Sequence, residues 1–207
     1  MDVVFGKQWL SLCSDSKGQA LLESNTVIDF VYCSPSLRCV QTAQNILKGN
    51  QHPLSANPVG FGSYVVKVGA KGCCWTGPGP FHVLTPSSHR PLIPICKLSV
   101  SESYDTYVSR SYQVTKDILS DCKNMGNNIL IVAHASSLEA CTRQLQGRSP
   151  QTSKDFIQVV RKIPYLGFCT CEEQSDTGVW QLVDPPILPL THGPNHSFNW
   201  RETLLQE

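Results

Sequence analysis

Apolar and polar positions along the chain follow two rhythms, one of strands and one of helices. Residues 129–133 are five apolar side chains in a row that run straight into His134, and small and polar residues with helical spacing come next. This predicts a buried strand over 128–133, a turn at His134 and a helix from about Ser137 to Leu145 that stops at Gly147. The same order occurs in residues 27–49. There the strand runs from Asp29 to Cys33, Ser34 is the N-cap and Pro35 the first helical residue. Leu37, Val40, Ile46 and Leu47 lie near one helical face, and Gly49 is the stop. Residues 101–126 predict a longer helix with the apolar stripe Tyr104, Tyr107, Val108, Ile118, Leu119 and Cys122, ended by Gly126. A further helix covers 153–162 and stops before Pro164. Two strands, 166–172 and 178–183, close the pattern, joined by the turn residues Ser175, Asp176 and Gly178. Strands alternating with helices predict an α/β fold: a mostly parallel sheet flanked by helices in three layers.

Residues 50–89 break the rhythm. They hold 11 Gly+Pro and no Asp or Glu, and show no steady period of 3.6 or 2. They read as an atypical, loop-rich insert in a single domain spanning 1–207. The carboxylate gap is wider still, from Asp29 to Glu102.

Charge and composition then exclude whole classes. Lys+Arg 17 against Asp+Glu 16 leaves no basic excess for nucleic acid or a membrane surface. No apolar run reaches the roughly 18 residues of a membrane span. The start, MDVVFGKQWLSLC, lacks the apolar core of a signal peptide, so the expected location is the cytoplasm, with the nucleus open to it. Thiols stay reduced there, and the ten cysteines are expected mostly as small buried hydrophobes. Cys169 and Cys171 do not have zinc-finger spacing. Gly193 and Pro194 between His192 and His196 forbid the helix that would aim both at one metal. No metal and no cofactor is expected.

Ligands of open α/β sheets bind beyond the carboxyl ends of the strands. Both strand–turn–helix units place a polar residue there: His134 in one, Arg38 in the first helical turn of the other. A helix N-terminus favours an anion, and arginine adds a planar fork suited to phosphate oxygens. A protonated histidine adds a further donor. Together they suggest half of a phosphate pocket. A histidine at a strand end also serves as an ordinary hydrogen-bonded structural residue. Ser136 and Ser137 read as helix caps rather than nucleophiles, because no Gly-x-Ser-x-Gly elbow surrounds them.

The stretches VYCSPSLRCVQTA and NNILIVAHASSLEACTRQLQG resemble the histidine phosphatase superfamily, whose fold is phosphoglycerate mutase-like. More closely, the chain resembles the C-terminal phosphatase domain of the TULA proteins, the suppressors of T-cell receptor signalling, nearer the B paralogue than the A. Residues 20–49, 90–173 and 178–207 carry the likeness. The resemblance implies hydrolysis of phosphotyrosine through a phosphohistidine, with two arginines and a second histidine holding the phosphoryl oxygens and a glutamate as acid. Arg38 matches the arginine of the Ser-Pro-x-x-Arg segment, and His134 matches the second, phosphate-holding histidine.

The sequence departs from that pattern at three places. It contains no Arg-His-Gly, the motif of the nucleophile. MDVVFGK matches the family just after that motif, which places the nucleophile and the first strand before Met1. A family segment is missing between Gly18 and Gln19, so the first helix is expected to keep only its end, QALLESN. Residues 50–89 stand where the family carries its acid; Glu102 has no motif support as a replacement. Without the first strand, its two neighbours are expected to present unpaired edges, each buried unsatisfied group costing about 1–3 kcal/mol against a total stability of about 5–15. The β-prone DVVF is the segment that could fill part of the gap. Three expectations compete: an incomplete and strongly impaired phosphotyrosine phosphatase, a non-catalytic binder of phosphate or phosphotyrosine proteins that can form a homodimer, and a product with no stable fold.

Overall fold

A strand covered on both faces needs apolar side chains on both, and Asn128–Ala133 has them. Ile129 and Ile131 point into one core cluster, Leu130 and Val132 into the other. The computed structural model describes residues 2–7, 11–34, 37–50, 67–68, 101–123, 128–187 and 197–206. In chain order these form β1 (Asp2–Lys7), α1 (Ser11–Glu23), β2 (Phe30–Cys33), α2 (Leu37–Gly49), β3 (Lys67–Val68), α3 (Tyr104–Cys122) and β4 (Asn128–Ala133). Then follow α4 (Ala135–Thr142), α5 (Ser153–Lys162), β5 (Phe168–Glu173), β6 (Trp180–Val183) and α6 (Trp200–Leu204).

The strands make one sheet of order β3-β2-β4-β1-β5-β6. β3, β2, β4 and β1 run parallel, and β5 is antiparallel to both β1 and β6. One core cluster joins Phe30, Tyr32, Ile129, Ile131, Cys169 and Cys171 to α3, α4, α5 and α6. The other joins Val31, Cys33, Leu130, Val132 and Phe168 to α1 and α2. The result is the three-layer α/β architecture that the alternating pattern predicts. The described cysteines Cys33, Cys39, Cys122, Cys169 and Cys171 are buried and unbridged. Among the described residues no helix is long and apolar enough to cross a membrane.

Several expectations need correction. The gap in the middle of the sheet is filled: Asp2–Lys7 pairs in parallel with all of β4, and Asp2–Gly6 pairs with β5. The open edges expected on β4 and β5 are therefore hydrogen-bonded, which removes the penalty foreseen for them. The first helix is not reduced to QALLESN. It runs unbroken through the Gly18–Gln19 junction from Ser11. Within 50–89, Lys67–Val68 forms a strand paired with Tyr32 and Cys33; the rest of that segment, apart from Asn50, lies outside the described residues, as do Pro35 and Gly126. The C-terminal α6 has no counterpart in the sequence reading. Asn199 Oδ1 caps it by accepting from the Arg201 and Glu202 N–H groups, and Trp200 and Leu204 are buried beneath it.

Gly18 marks where α1 crosses α2. A Cβ there would stand 2.0 Å from the Ile46 carbonyl oxygen and 2.6 Å from the Asn50 nitrogen, both backbone atoms that cannot swing aside. Asn50 Nδ2 donates to the Gly18 carbonyl at 3.2 Å in the same crossing. The preceding residue, Lys17, is only 4% exposed, with Nζ 4.3 Å from the centre of the Phe168 ring. Burial lowers its amine to about 7.

Two outcomes follow from this crossing. Gly18→Ala should destabilise the fold by at least the ~1–3 kcal/mol typical of overpacking. Thermal melting would read this as a fall of roughly 2–4 °C per kcal/mol; an unchanged melting temperature would contradict the crossing. Lys17 should make stability rise with pH from about 7, because above that value the folded chain has released a proton that the unfolded chain still holds. The slope is up to about 1.4 kcal/mol per pH unit. Cys33, pushed by burial from 9.0 to about 12, acts in the opposite direction above 9, so pH 7–9 is the clean window. Denaturant titrations of Lys17→Met should be more stable than the parent at pH 7 and converge on it towards pH 9.

Candidate functional site

Neighbouring parallel strands end at the same edge of a sheet. β2 and β4 are such neighbours, with Cys33 opposite Val132. The residues that leave them, Ser34 and His134, therefore arrive side by side. The Ser34 N–H extends the ladder by donating to the Val132 carbonyl at 2.8 Å. Ser34 Oγ lies 2.8 Å from His134 Nε2. Arg38, in the first turn of α2, brings Nη2 to 3.1 Å from His134 Nδ1. That turn is tied to the same strand end, since the Cys39 thiol donates to the Ala133 carbonyl at 3.4 Å.

The three contacts fix the chemistry of the ring. A guanidinium carries donors only, so Nδ1 accepts from Arg38 and the ring proton resides on Nε2, where it donates to Ser34 Oγ. Arg38 is exposed, and His134 and Ser34 are half-buried, so the group opens to solvent. The two residues singled out in the sequence thus meet, although 96 positions separate them. Sequence reasoning assigned Ser34 to helix capping and missed it as the partner of His134. The signal available was the parallel pairing of the two strands, which aligns the residues that follow them.

The helix behind the ring starts earlier than expected. Its N-cap is His134, with φ −111° and ψ 165°, and Ala135 is its first residue. Ser136 and Ser137 are inside the first turn rather than before it. Ser137 Oγ accepts from the His134 N–H at 3.4 Å, the reach-back half of a capping box. Ser136 Oγ accepts from the Tyr107 hydroxyl at 2.8 Å. The Ser137 N–H in the first turn of α4 donates to the His134 carbonyl at 2.9 Å, and the positive end of the helix dipole adjoins His134.

Other groups that could do chemistry are accounted for. Glu102 holds Arg110 with both oxygens, at 2.6 Å to Nε and 2.8 Å to Nη2, and this pairing raises the Arg110 pKa. Both oxygens of the Glu102 carboxylate are thus committed to the Arg110 guanidinium. Burial, reinforced by Cys39, pushes the Cys33 thiol up to about 12, so it offers no thiolate beside Ser34. Among the described residues no three His, Cys, Asp or Glu side chains are grouped to hold a metal ion.

Comparison with known proteins places the chain among its relatives. No family model matches the chain. It is 55% identical over 255 residues to the ubiquitin-associated and SH3 domain-containing protein B of Homo sapiens, covering 100% of this chain and 39% of that protein. The chain thus spans well under half the length of that relative. The A protein of the same organism is 39% identical over 201 residues, covering 90% of this chain and 29% of its own length. The ecdysteroid-phosphate phosphatase of Drosophila melanogaster is 34% identical over 200 residues, covering 88% of this chain and 25% of that protein. In fold, the chain is similar to the crystal structure of the ecdysone phosphate phosphatase from Bombix mori in complex with tungstate. The TM-score is 0.58 at 20% identity, over 93% of this chain and 76% of that one. The fold is that of the histidine phosphatases. The match to the B protein runs over 255 residues against 207 here, so that protein carries residues inside the matched span that this chain lacks. The chain belongs to the phosphatase-domain family of the ubiquitin-associated and SH3 domain-containing proteins, nearer the B protein than the A.

Proposed function

We propose that the chain binds phosphate monoesters, phosphotyrosine foremost, at the site built on Arg38 and His134, and that it hydrolyses them weakly or not at all. The observation that carries this reading is the meeting of the two side chains at one strand edge, 3.1 Å apart. In the ligand-free chain Arg38 spends a donor on His134 Nδ1. An arriving phosphoryl group offers a better acceptor, since a charge-assisted hydrogen bond to a phosphate oxygen is about twice as strong as a neutral one. Arg38 then turns its fork to two phosphoryl oxygens, and His134 takes up a proton on Nδ1 and donates to a third. Ser34 keeps hold of the other ring nitrogen throughout and fixes the plane of the imidazole. The relatives named as phosphatases of phosphate esters support an ester ligand.

The lack of turnover follows from what the strand edge delivers. β1 occupies the position beside β4, and Lys7 lies opposite Ala133. The family resemblance implies a nucleophile in an Arg-His-Gly motif, and that motif does not occur in residues 1–207. His134 already has both ring nitrogens engaged at 2.8 and 3.1 Å, which supports a role in holding the phosphoryl group rather than attacking it. Removing the nucleophile from a concerted site costs about a millionfold in rate.

Calorimetry with inorganic phosphate and with phosphotyrosine tests the binding. The chain should give a single saturable site, and Arg38→Ala and His134→Ala should each weaken it at least ~10-fold, the scale of a lost charge-assisted bond. Equal heats from all three proteins would refute the site. Incubation with an aryl phosphate tests the chemistry. The parent and His134→Ala should release phosphate at the same near-background rate; turnover in the parent that disappears in the variant would show that the chain is an active phosphatase.

A further inference from the structure

The first turn of α4 is held from a direction the strand ends do not account for. Tyr107, on α3, donates its hydroxyl proton to Ser136 Oγ at 2.8 Å, and Ser136 is two residues beyond His134. Tyr107 is itself fixed on two sides. The Phe156 ring meets it edge-on, centroids 6.1 Å apart at 65°, and the Arg110 guanidinium lies 5.6 Å from its ring centre. Arg110 is in turn clamped by both oxygens of Glu102. A relay of positioned groups therefore runs from Glu102 through Arg110 and Tyr107 to the helix turn behind His134.

The direction of the hydrogen bond matters. Because the phenol is the donor, Ser136 Oγ accepts, and the serine keeps its own hydroxyl proton for another acceptor. Burial pushes the Tyr107 phenol above its ordinary value, so it stays protonated and remains a donor throughout the neutral range. The contact does two things. It fixes the azimuth of the first turn of α4, and with it the backbone from which the His134 ring projects. It also leaves a hydroxyl donor on the turn whose N–H groups adjoin the site.

We propose that Tyr107 is a positioning residue of the anion site and that it acts through Ser136. The inference rests on the reading of Arg38 and His134 as a phosphate-binding pair and deepens it. Tyr107 touches neither the phosphate nor His134; it determines how the helix end that carries His134 is presented to the ligand.

The test is a set of inorganic phosphate titrations by calorimetry on the full chain, with melting temperatures recorded alongside. Tyr107→Phe keeps the ring and its packing and removes only the donor. It should lose phosphate affinity by about three- to tenfold, the range of one net hydrogen bond. The double variant Tyr107→Phe with Ser136→Ala should bind no more weakly than Ser136→Ala alone, because the second change has nothing left to remove. Tyr104→Phe is the control. It lies on the same helix and loses a hydrogen bond of 2.8 Å to the Gln151 carbonyl, so a general loosening of α3 would show there too. It should bind phosphate as the parent does. Three results would overturn the proposal: Tyr107→Phe binding like the parent, Tyr104→Phe losing as much as Tyr107→Phe, or additive losses in the double variant. A parent and His134→Ala that both fail to bind phosphate would instead sink the anion site, and the inference with it.

Discussion

The pairing of β1 between β4 and β5 is the constraint on which the rest of the structure depends. Among the described residues the sheet order places β1 between those two strands. Six residues, Asp2–Lys7, satisfy backbone groups on both sides, in parallel with β4 and antiparallel to β5. Each bond in such a ladder contributes little by itself, but leaving both edges open would bury polar groups without partners on two strands at once. With β1 in place, β4 is flanked on each side and its end cannot drift. That is the condition for His134 to be aimed rather than merely present.

From that fixed end the chemistry follows in short steps. Parallel neighbours bring Ser34 and Arg38 to the same edge, one contact to each ring nitrogen of His134. The arrangement holds a guanidinium fork and an imidazole together at one edge, where Arg38 can exchange its hydrogen bond to His134 Nδ1 for one to an arriving anion. In a fold of this kind the residues at the strand ends, rather than the fold itself, decide what a site does.

Much of this was legible in the sequence, for identifiable reasons. β2 and β4 were readable because an uncharged apolar run of strand length leaves few alternatives. Arg38 and His134 were readable because each stands at the end of such a run, just where ligands of α/β sheets are held. The failures have physical causes as well. The first helix was cut to QALLESN because a family segment is missing between Gly18 and Gln19, whereas SLCSDSKG takes its place in one continuous helix that packs on α2 at Gly18. Serine is a favoured N-cap, so the start of α4 was placed at Ser137, whereas the extended backbone of His134 begins the helix three residues earlier. Lys67–Val68 ends the β-prone run YVVKV, whose signal was lost in the surrounding Gly- and Pro-rich segment, and it pairs with the edge of β2. Asn199, followed three residues later by Glu202, was a readable helix start that the short tail concealed.

The account stands on Arg38 and His134 forming one anion site. The most direct measurement is the nitrogen resonance spectrum of the His134 ring and the Arg38 guanidinium while tungstate is added. Before addition, the ring should show its proton on Nε2. During addition, both side chains should shift along one common saturation curve, with Nδ1 gaining a proton as Arg38 leaves it. Separate curves for the two side chains, or a ring that stays in its starting tautomer while Arg38 responds, would show that they do not share a ligand and would contradict the account.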